Sequence, residues 1–252
     1  MLESLSRDLL AALPRYGSNL WGALRDPVGF VTPRAAQGDM AWEALAFWAM
    51  SYALSLLVSY FMLGNGGPPA VFFITSFMTN GLHLLLTVLG FILVWRLARY
   101  RAGPAELLTA GAFCWGAVLP ITAFLHVLLL GILRVVSEEG FVIGANLLNG
   151  CADVVAAANL NTVLESATVN MGLYGLLAAL LFIALFAVSF GFSAYFYIAF
   201  LRIIRRLYPV RLFPFLLLAA LGTAGWFLAG SASAGFALMV HNDPARCIAP
   251  RA

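Results

Sequence analysis

The chain has 252 residues, of which 63% are hydrophobic and 10% carry a formal charge. Soluble domains usually contain about 25% charged residues, so this composition excludes an ordinary soluble protein. The net charge of +3 comes from arginines in short segments that flank apolar stretches, which argues against a nucleic-acid-binding surface. The composition therefore predicts a single polytopic, all-α integral membrane domain.

Residues 1–40 are predicted to form a cytoplasmic amphipathic or interfacial segment. Four leucines share one helical face: Leu2, Leu5, Leu9 and Leu13. Pro14 is expected to end this short helix. A second apolar series surrounds Asp26-Pro27 and consists of Trp21, Leu24, Val28 and Phe30. Two interpretations stay open. Both series lie in the membrane interface, where tryptophan is favoured, or they pack on the cytoplasmic ends of the spans.

Five uncharged apolar stretches are predicted to cross the membrane as a five-helix bundle. At a rise of 1.5 Å per residue, a helix needs about 20 residues to cross a hydrocarbon layer about 30 Å thick. The predicted membrane domain is 41–240, with spans at about 44–63, 70–95, 107–133, 171–201 and 212–240. Residues 137–170 are expected to be an external loop, because their acidic residues interrupt any further span. Residues 241–252 are expected to be an external tail.

The arginines predict the orientation of the spans. Eleven of the fourteen arginines fall in the N-terminal segment and in the connections on the same side, and three fall on the other side. The positive-inside rule therefore places the N-terminus in the cytoplasm and the C-terminus outside. All fourteen basic residues are arginine, and alanine is abundant. This usage points to a bacterium, so we expect the inner membrane and a periplasmic C-terminus.

Three polar residues inside the spans form a candidate intramembrane cluster: Asn80, His83 and His126. The two histidines differ in depth by about 9 Å at 1.5 Å per residue, which is too far for a shared metal ion. Asn80 matches the depth of His126 better. We interpret all three as interhelical hydrogen-bonding residues. Lining a path for a proton or a substrate is the alternative, because polar groups inside a membrane are commonly functional.

Two contacts near the ends of the spans are also predicted. Glu43 precedes the first span and faces Arg96 or Arg99 at the same membrane surface, unless it is simply solvated. Cys151 and Cys247 both fall on the predicted external side. A disulfide between them would persist in an oxidising periplasm.

Small residues predict how the fourth and fifth spans pack. They recur about every four positions, so that each helix presents a face without bulky side chains to its neighbour. The candidate packing residues are Ala187, Gly191, Gly225, Ala229 and Ser233.

Three segments carry a resemblance to a known family. Asp26-Pro27-Val28-Gly29-Phe30 resembles its Pro-x-x-Phe lead-in, and the segment 100–108 resembles its basic, glycine-containing turn that runs into an acidic residue. Ala112-Phe113-Cys114-Trp115, followed by Pro120, resembles its aromatic-Ser-then-Pro stretch, with Phe and Cys in place of Tyr and Ser. Over roughly residues 24–224, the chain resembles the prokaryotic branch of the Yip-domain proteins, the Ypt/Rab-interacting membrane proteins. The Asp-Leu-Tyr-Gly-Pro element of eukaryotic members is absent, so the resemblance does not carry Rab binding.

The resemblance implies a five-helix membrane protein with a cytoplasmic N-terminus. We expect a non-catalytic scaffold or accessory subunit that organises the membrane or docks partners, which would be other membrane proteins or further copies of the chain. The alternative is a transporter or permease subunit with a polar path lined by Asn80, His83 and His126. No catalytic residue, metal, cofactor or nucleic-acid partner is expected.

Overall fold

The computed structural model describes residues 2–63, 69–99, 103–136, 142 and 173–241. Over these residues it contains seven α-helices and no strand, which confirms the all-α prediction. The helices are α1 (Leu2–Arg25), α2 (Pro27–Gln37), α3 (Ala41–Leu63), α4 (Pro69–Leu97), α5 (Pro104–Val136), α6 (Leu173–Leu207) and α7 (Leu212–His241).

Four of these helices are long and apolar enough to cross a membrane. The qualifying stretches are Ala41–Val58 in α3, Ser76–Leu97 in α4, Pro104–Arg134 in α5 and Leu180–Leu207 in α6. They coincide with four of the predicted spans, although α6 continues past residue 201 through three arginines. Among the described residues, α7 contributes the shorter apolar stretch Leu212–Leu228.

The N-terminal segment forms two helices that differ from the prediction at one point. Pro14 lies inside α1 and does not end it, so the prediction that Pro14 closes the first helix is wrong. Helix α2 begins at a capped end, because the Asp26 carboxylate accepts a hydrogen bond of 2.9 Å from the Gly29 amide and Pro27 occupies the first helical position. It ends at Gly38, whose φ of 72° is the left-handed conformation that glycine favours.

The chain divides into two compact units. Unit 1 comprises residues 1–54, 83–120 and 194–229. It therefore joins α1 and α2 to the first parts of α3, α5 and α7 and to the last parts of α4 and α6. Its core is largely aromatic, and its largest fully buried side chains are Trp95, Phe91, Phe113, Phe196 and Phe200.

Unit 2 comprises residues 55–82, 121–193 and 230–252. Where its side chains are described, many large apolar residues are exposed, among them Ile74, Phe124, Leu181, Ile183 and Phe186. Exposed apolar surface on this scale is unfavourable in water. Hydrocarbon removes that penalty, which is the environment that the composition predicts for these helices.

Two glycines allow close helix contacts within unit 1. A Cβ atom at Gly116 of α5 would lie 2.8 Å from the ring of Phe47 and 3.1 Å from the Cα of Trp48 in α3. A Cβ atom at Gly222 of α7 would lie 2.5 Å from the ring of Phe91 in α4. Any larger residue would therefore overlap its neighbour, so glycine is required for α5 to approach α3 and for α7 to approach α4.

Candidate functional site: the arginine-rich end of unit 1

A chain of four aromatic rings fastens the two N-terminal helices to the long helices. Tyr16 of α1 lies 5.3 Å from Phe47 of α3, which lies 5.3 Å from Phe113 of α5. The ring of Phe30 in α2 meets Phe113 edge-on at 5.7 Å. Such aromatic pairs contribute about 0.5–1.5 kcal/mol each beyond the area that they bury. Tyr16 and Phe30 therefore pack on the ends of the long helices. The side chains of residues 1–13 are outside the described part, so the choice between the two interpretations of the N-terminal segment stays a prediction.

Two polar contacts also join α1 to α3. The buried Ser51 hydroxyl of α3 donates a hydrogen bond of 3.2 Å to the Tyr16 hydroxyl. Burial raises the pKa of Tyr16, and the bond from Ser51 partly offsets this effect. The Asn19 amide donates a 3.0 Å hydrogen bond to the Glu43 carboxylate, a partner that the sequence analysis did not identify. The ion pair of Glu43 with Arg96 or Arg99 stays a prediction.

The turn between α4 and α5 is held to the end of α6 by one tyrosine. The Gly103 amide donates a 2.8 Å hydrogen bond to the Tyr208 hydroxyl, and that hydroxyl donates to the Gly103 carbonyl at 3.3 Å. Burial raises the pKa of Tyr208 to about 12; the hydrogen bond to Gly103 lowers it, and the negative charge of Glu106 adds to the rise. Tyr208 therefore stays protonated at physiological pH and can donate this bond.

Charged residues are concentrated at the end of unit 1 that contains α1, α2, the turn between α4 and α5, and the turn between α6 and α7. Its described side chains include nine arginines and four carboxylates. The arginines are Arg15, Arg25, Arg34, Arg96, Arg99, Arg202, Arg205, Arg206 and Arg211. All except the partly buried Arg34 are exposed. Arg34 lies 3.6 Å above the ring of Phe30 and donates a 2.9 Å hydrogen bond to the Phe30 carbonyl. Two tryptophans at the same end, Trp21 and Trp42, are 66% and 82% exposed.

The three predicted intramembrane polar residues fall in both units. Asn80, in unit 2, donates a 3.2 Å hydrogen bond to the Ser76 carbonyl of its own helix. His126, also in unit 2, is exposed. His83 belongs to unit 1, where its ring meets that of Trp226 edge-on at 6.1 Å. Their role as one cluster stays a prediction.

His83 has neighbours in unit 1 that the sequence analysis missed. Trp226 also packs on Tyr197, with ring centroids 5.5 Å apart. The hydroxyls of Tyr197 and Thr223 lie 2.5 Å apart, and Thr223 donates to the Ala219 carbonyl at 2.7 Å. Either hydroxyl can be the donor in their shared bond. The indole nitrogen of Trp226 is buried without a hydrogen-bond partner in the described chain.

The described contacts between α6 and α7 are of this polar and aromatic kind. A Cβ atom at Gly225 would have no neighbour within 4 Å, and the same holds for Gly191. Ala187 is exposed, and the side chains of Ala229 and Ser233 lie outside the described part. Within unit 1, α6 meets α7 through Tyr197, Thr223 and Trp226, and packing of the two helices through their small residues stays a prediction.

The predicted disulfide lies outside the described residues, since neither Cys151 nor Cys247 falls within them. Of the predicted external loop 137–170, the structure describes residue 142 and no other. Cys114 is a buried free thiol in α5.

Two of the missed residues have a recognisable sequence signal. Gly103-Pro104-Ala105-Glu106 has the Pro at the first helical position and an acidic residue in the first turn that mark a helix start, and α5 begins there. Tyr208 is the aromatic residue that follows the last basic turn of α6. The partnership of Gly103 with Tyr208 spans 105 residues, and no local pattern reports such a contact.

The chemistry of this end is that of a charged, hydrogen-bonded surface. Exposed guanidinium groups bind phosphate or carboxylate groups through paired N–H donors. Over the residues that the structure describes, no three His, Cys, Asp or Glu side chains come together as they would around a metal ion. No family model, no curated protein and no solved structure matches the chain.

Proposed function

We propose that this chain is a non-catalytic integral membrane protein that organises the membrane or docks other membrane components through its N-terminal helices. We call α1 and α2 together the N-terminal platform. The observation that carries the proposal is the aromatic chain from Tyr16 through Phe47 and Phe113 to Phe30, because it holds the platform in a fixed position on the long helices. A platform held in this way presents Trp21 on a constant surface, whereas a loosely tethered segment would not.

The proposed protein has five spans. Helix α7 runs for 30 residues, Leu212–His241, and its sequence contains no formally charged side chain before His241. At 1.5 Å per residue it reaches about 45 Å, which exceeds a hydrocarbon layer of about 30 Å. Together with α3, α4, α5 and α6 this gives an odd number of crossings.

The proposed orientation places the arginine-rich end in the cytoplasm and the C-terminus in the periplasm of a bacterial inner membrane. The described part of unit 2 contains one formally charged residue, Arg134. The described part of unit 1 has nine arginines at one end. The positive-inside rule favours this asymmetry. Reporter enzymes fused to each terminus are expected to be active in opposite compartments, and activity in the same compartment would contradict five spans.

Relationship to the prokaryotic Yip-domain proteins is part of the proposal. The residues that carry the resemblance have structural roles in this chain. Asp26 caps α2 and Pro27 begins it, and Pro104 begins α5. Phe113 is the fully buried ring that packs against Phe30 of α2 and Phe47 of α3.

Reconstitution in lipid vesicles tests the function. Copies labelled with donor and acceptor dyes are expected to cluster, as measured by energy transfer between copies at constant protein-to-lipid ratio. The double variant Tyr16→Ala/Phe30→Ala releases the platform and should lower the transfer, because it removes both outer rings of the aromatic chain.

Phe124→Ala is the matched control, since it removes a 56% exposed ring from unit 2. Unchanged clustering in the double variant, with helical content equal to wild type by circular dichroism, would contradict the proposal.

A transporter or permease subunit is the second candidate. The observation that favours it is the unpartnered indole nitrogen of Trp226 beside His83, because a buried N–H without an acceptor costs about 1–3 kcal/mol and a polar substrate would supply one. His83→Leu should then abolish substrate flux in vesicles while the melting temperature and the platform-dependent clustering stay at their wild-type values.

A further inference from the structure

We infer that the arginines around the end of α4 and the turn between α6 and α7 bind the phosphate of an anionic phospholipid. We call these residues the arginine cluster: Arg96, Arg99, Arg202, Arg205, Arg206 and Arg211. The inference goes beyond the proposed function, because it assigns a ligand to a surface separate from the N-terminal platform.

Buried aromatic rings bring the parts of the cluster together. Trp95, which precedes Arg96, lies 6.4 Å from Phe215 of α7, and Arg205 of α6 lies 5.6 Å above that same ring. One helical turn deeper, Phe91 of α4 meets Phe200 of α6 edge-on at 5.1 Å. The ends of α4 and α6 and the start of α7 are thus adjacent, and these three helix ends carry the six arginines.

Two described carboxylates at this end have contacts outside the cluster, and one of them, Glu43, accepts the hydrogen bond from the Asn19 amide. All six arginines are exposed. Glu106 comes from the same end, but its carboxylate lies against Gly103, where a Cβ atom would otherwise stand. Guanidinium groups on adjacent helix ends repel one another, and a phosphate that accepts paired N–H donors from them relieves that repulsion.

The backbone at Arg99 supports a role for its guanidinium. Arg99 has a φ of 63°, the left-handed conformation that commonly ends a helix and is usually occupied by glycine. An arginine at this position gives up backbone stability that glycine would provide. We therefore attribute the presence of arginine at residue 99 to its charge and not to backbone stability.

The surface next to the cluster favours a lipid over a soluble phosphate. Beside Arg96, Leu97 is 75% exposed and Leu93 is 59% exposed; beside Arg211, Phe213 is 81% exposed. Exposed apolar side chains next to exposed guanidinium groups match a phospholipid, whose acyl chains continue from a phosphate. A free phosphate would use the arginines and leave these apolar side chains unpaired.

Native mass spectrometry of the full chain in dodecyl maltoside micelles tests the inference. Titration with phosphatidylglycerol is expected to leave bound lipid after the detergent is removed, whereas phosphatidylcholine is not retained. Each arginine near an anionic headgroup contributes about 1 kcal/mol, or about fivefold in affinity. Arg205→Gln and Arg99→Gly should each weaken phosphatidylglycerol binding about fivefold, and Arg99→Gly should melt at or above the wild-type temperature because glycine relaxes the backbone.

The matched control is Arg15→Gln, which removes one exposed arginine from the same end but outside the cluster. An equal loss of phosphatidylglycerol binding in Arg15→Gln would overturn the site, because it would show a general effect of charge. Binding of glycerol 3-phosphate as tight as that of phosphatidylglycerol would overturn the assignment to a lipid. Both measurements are made in micelles, so failure of the vesicle clustering assay does not affect them.

Discussion

Replacing Gly222 by alanine tests whether α7 approaches α4 at this residue. The three nearest atoms to the new Cβ would be ring atoms of Phe91 at 2.5, 2.7 and 2.9 Å. The ring cannot simply turn away, because Phe91 is fully buried against Trp95 at 6.0 Å and Phe200 at 5.1 Å. The two helices must therefore separate or the aromatic core must repack.

The size of the effect follows from two opposing terms. Forcing an additional methyl group into a packed core costs about 1–3 kcal/mol, and three contacts below 3 Å favour the upper end of that range. Alanine stabilises a helix by about 1 kcal/mol relative to glycine, which partly offsets this cost. We expect Gly222→Ala to lower the free energy of unfolding by about 2 kcal/mol.

Gly225→Ala is the matched control on the same helix. A Cβ at this position meets nothing within 4 Å, so the variant keeps the helical gain and has no steric cost. The two variants should differ by about 2–3 kcal/mol, or roughly 5–10 °C in melting temperature, measured by thermal unfolding in detergent. Equal melting temperatures, or a lower one for Gly225→Ala, would refute the packing of α7 on α4 described above.

Three further changes test other contacts. Tyr208→Phe removes the hydroxyl that bonds Gly103 and should cost about 1–3 kcal/mol. The pKa of Tyr208 in the folded protein is raised to about 12 from 10.0. Its contribution to the free energy of unfolding is therefore fully present below pH 10 and is lost as the pH rises to about 12. Over that interval the melting temperature of the variant should fall less than that of the wild type. Phe113→Ala should cost about 3–5 kcal/mol by chemical unfolding, whereas the exposed Phe124→Ala should stay within about 0.5 kcal/mol. Asp26→Ala removes the cap of α2 and should cost about 1 kcal/mol, seen as faster proteolysis after residue 26.

The positions of the long helices could be predicted from the sequence for a simple reason. A span must be free of charge over about 20 residues, and such stretches are visible without any knowledge of their neighbours. The predicted stretches 44–63, 70–95 and 107–133 fall within α3, α4 and α5 for this reason. The concentration of arginines at one end was equally visible, because it follows from chain order once the helices are placed.

The contacts of those helices depended on the tertiary structure. A span that is apolar on every side has no polar face to show which residues turn toward a neighbour, so the close approach of α7 to α4 at Gly222 was not predicted. The partner of Glu43 is Asn19, 24 residues away on α1, and became apparent only with the docking of the N-terminal platform. Local periodicity reports which residues are apolar, whereas the identity of the neighbour depends on how distant segments pack together.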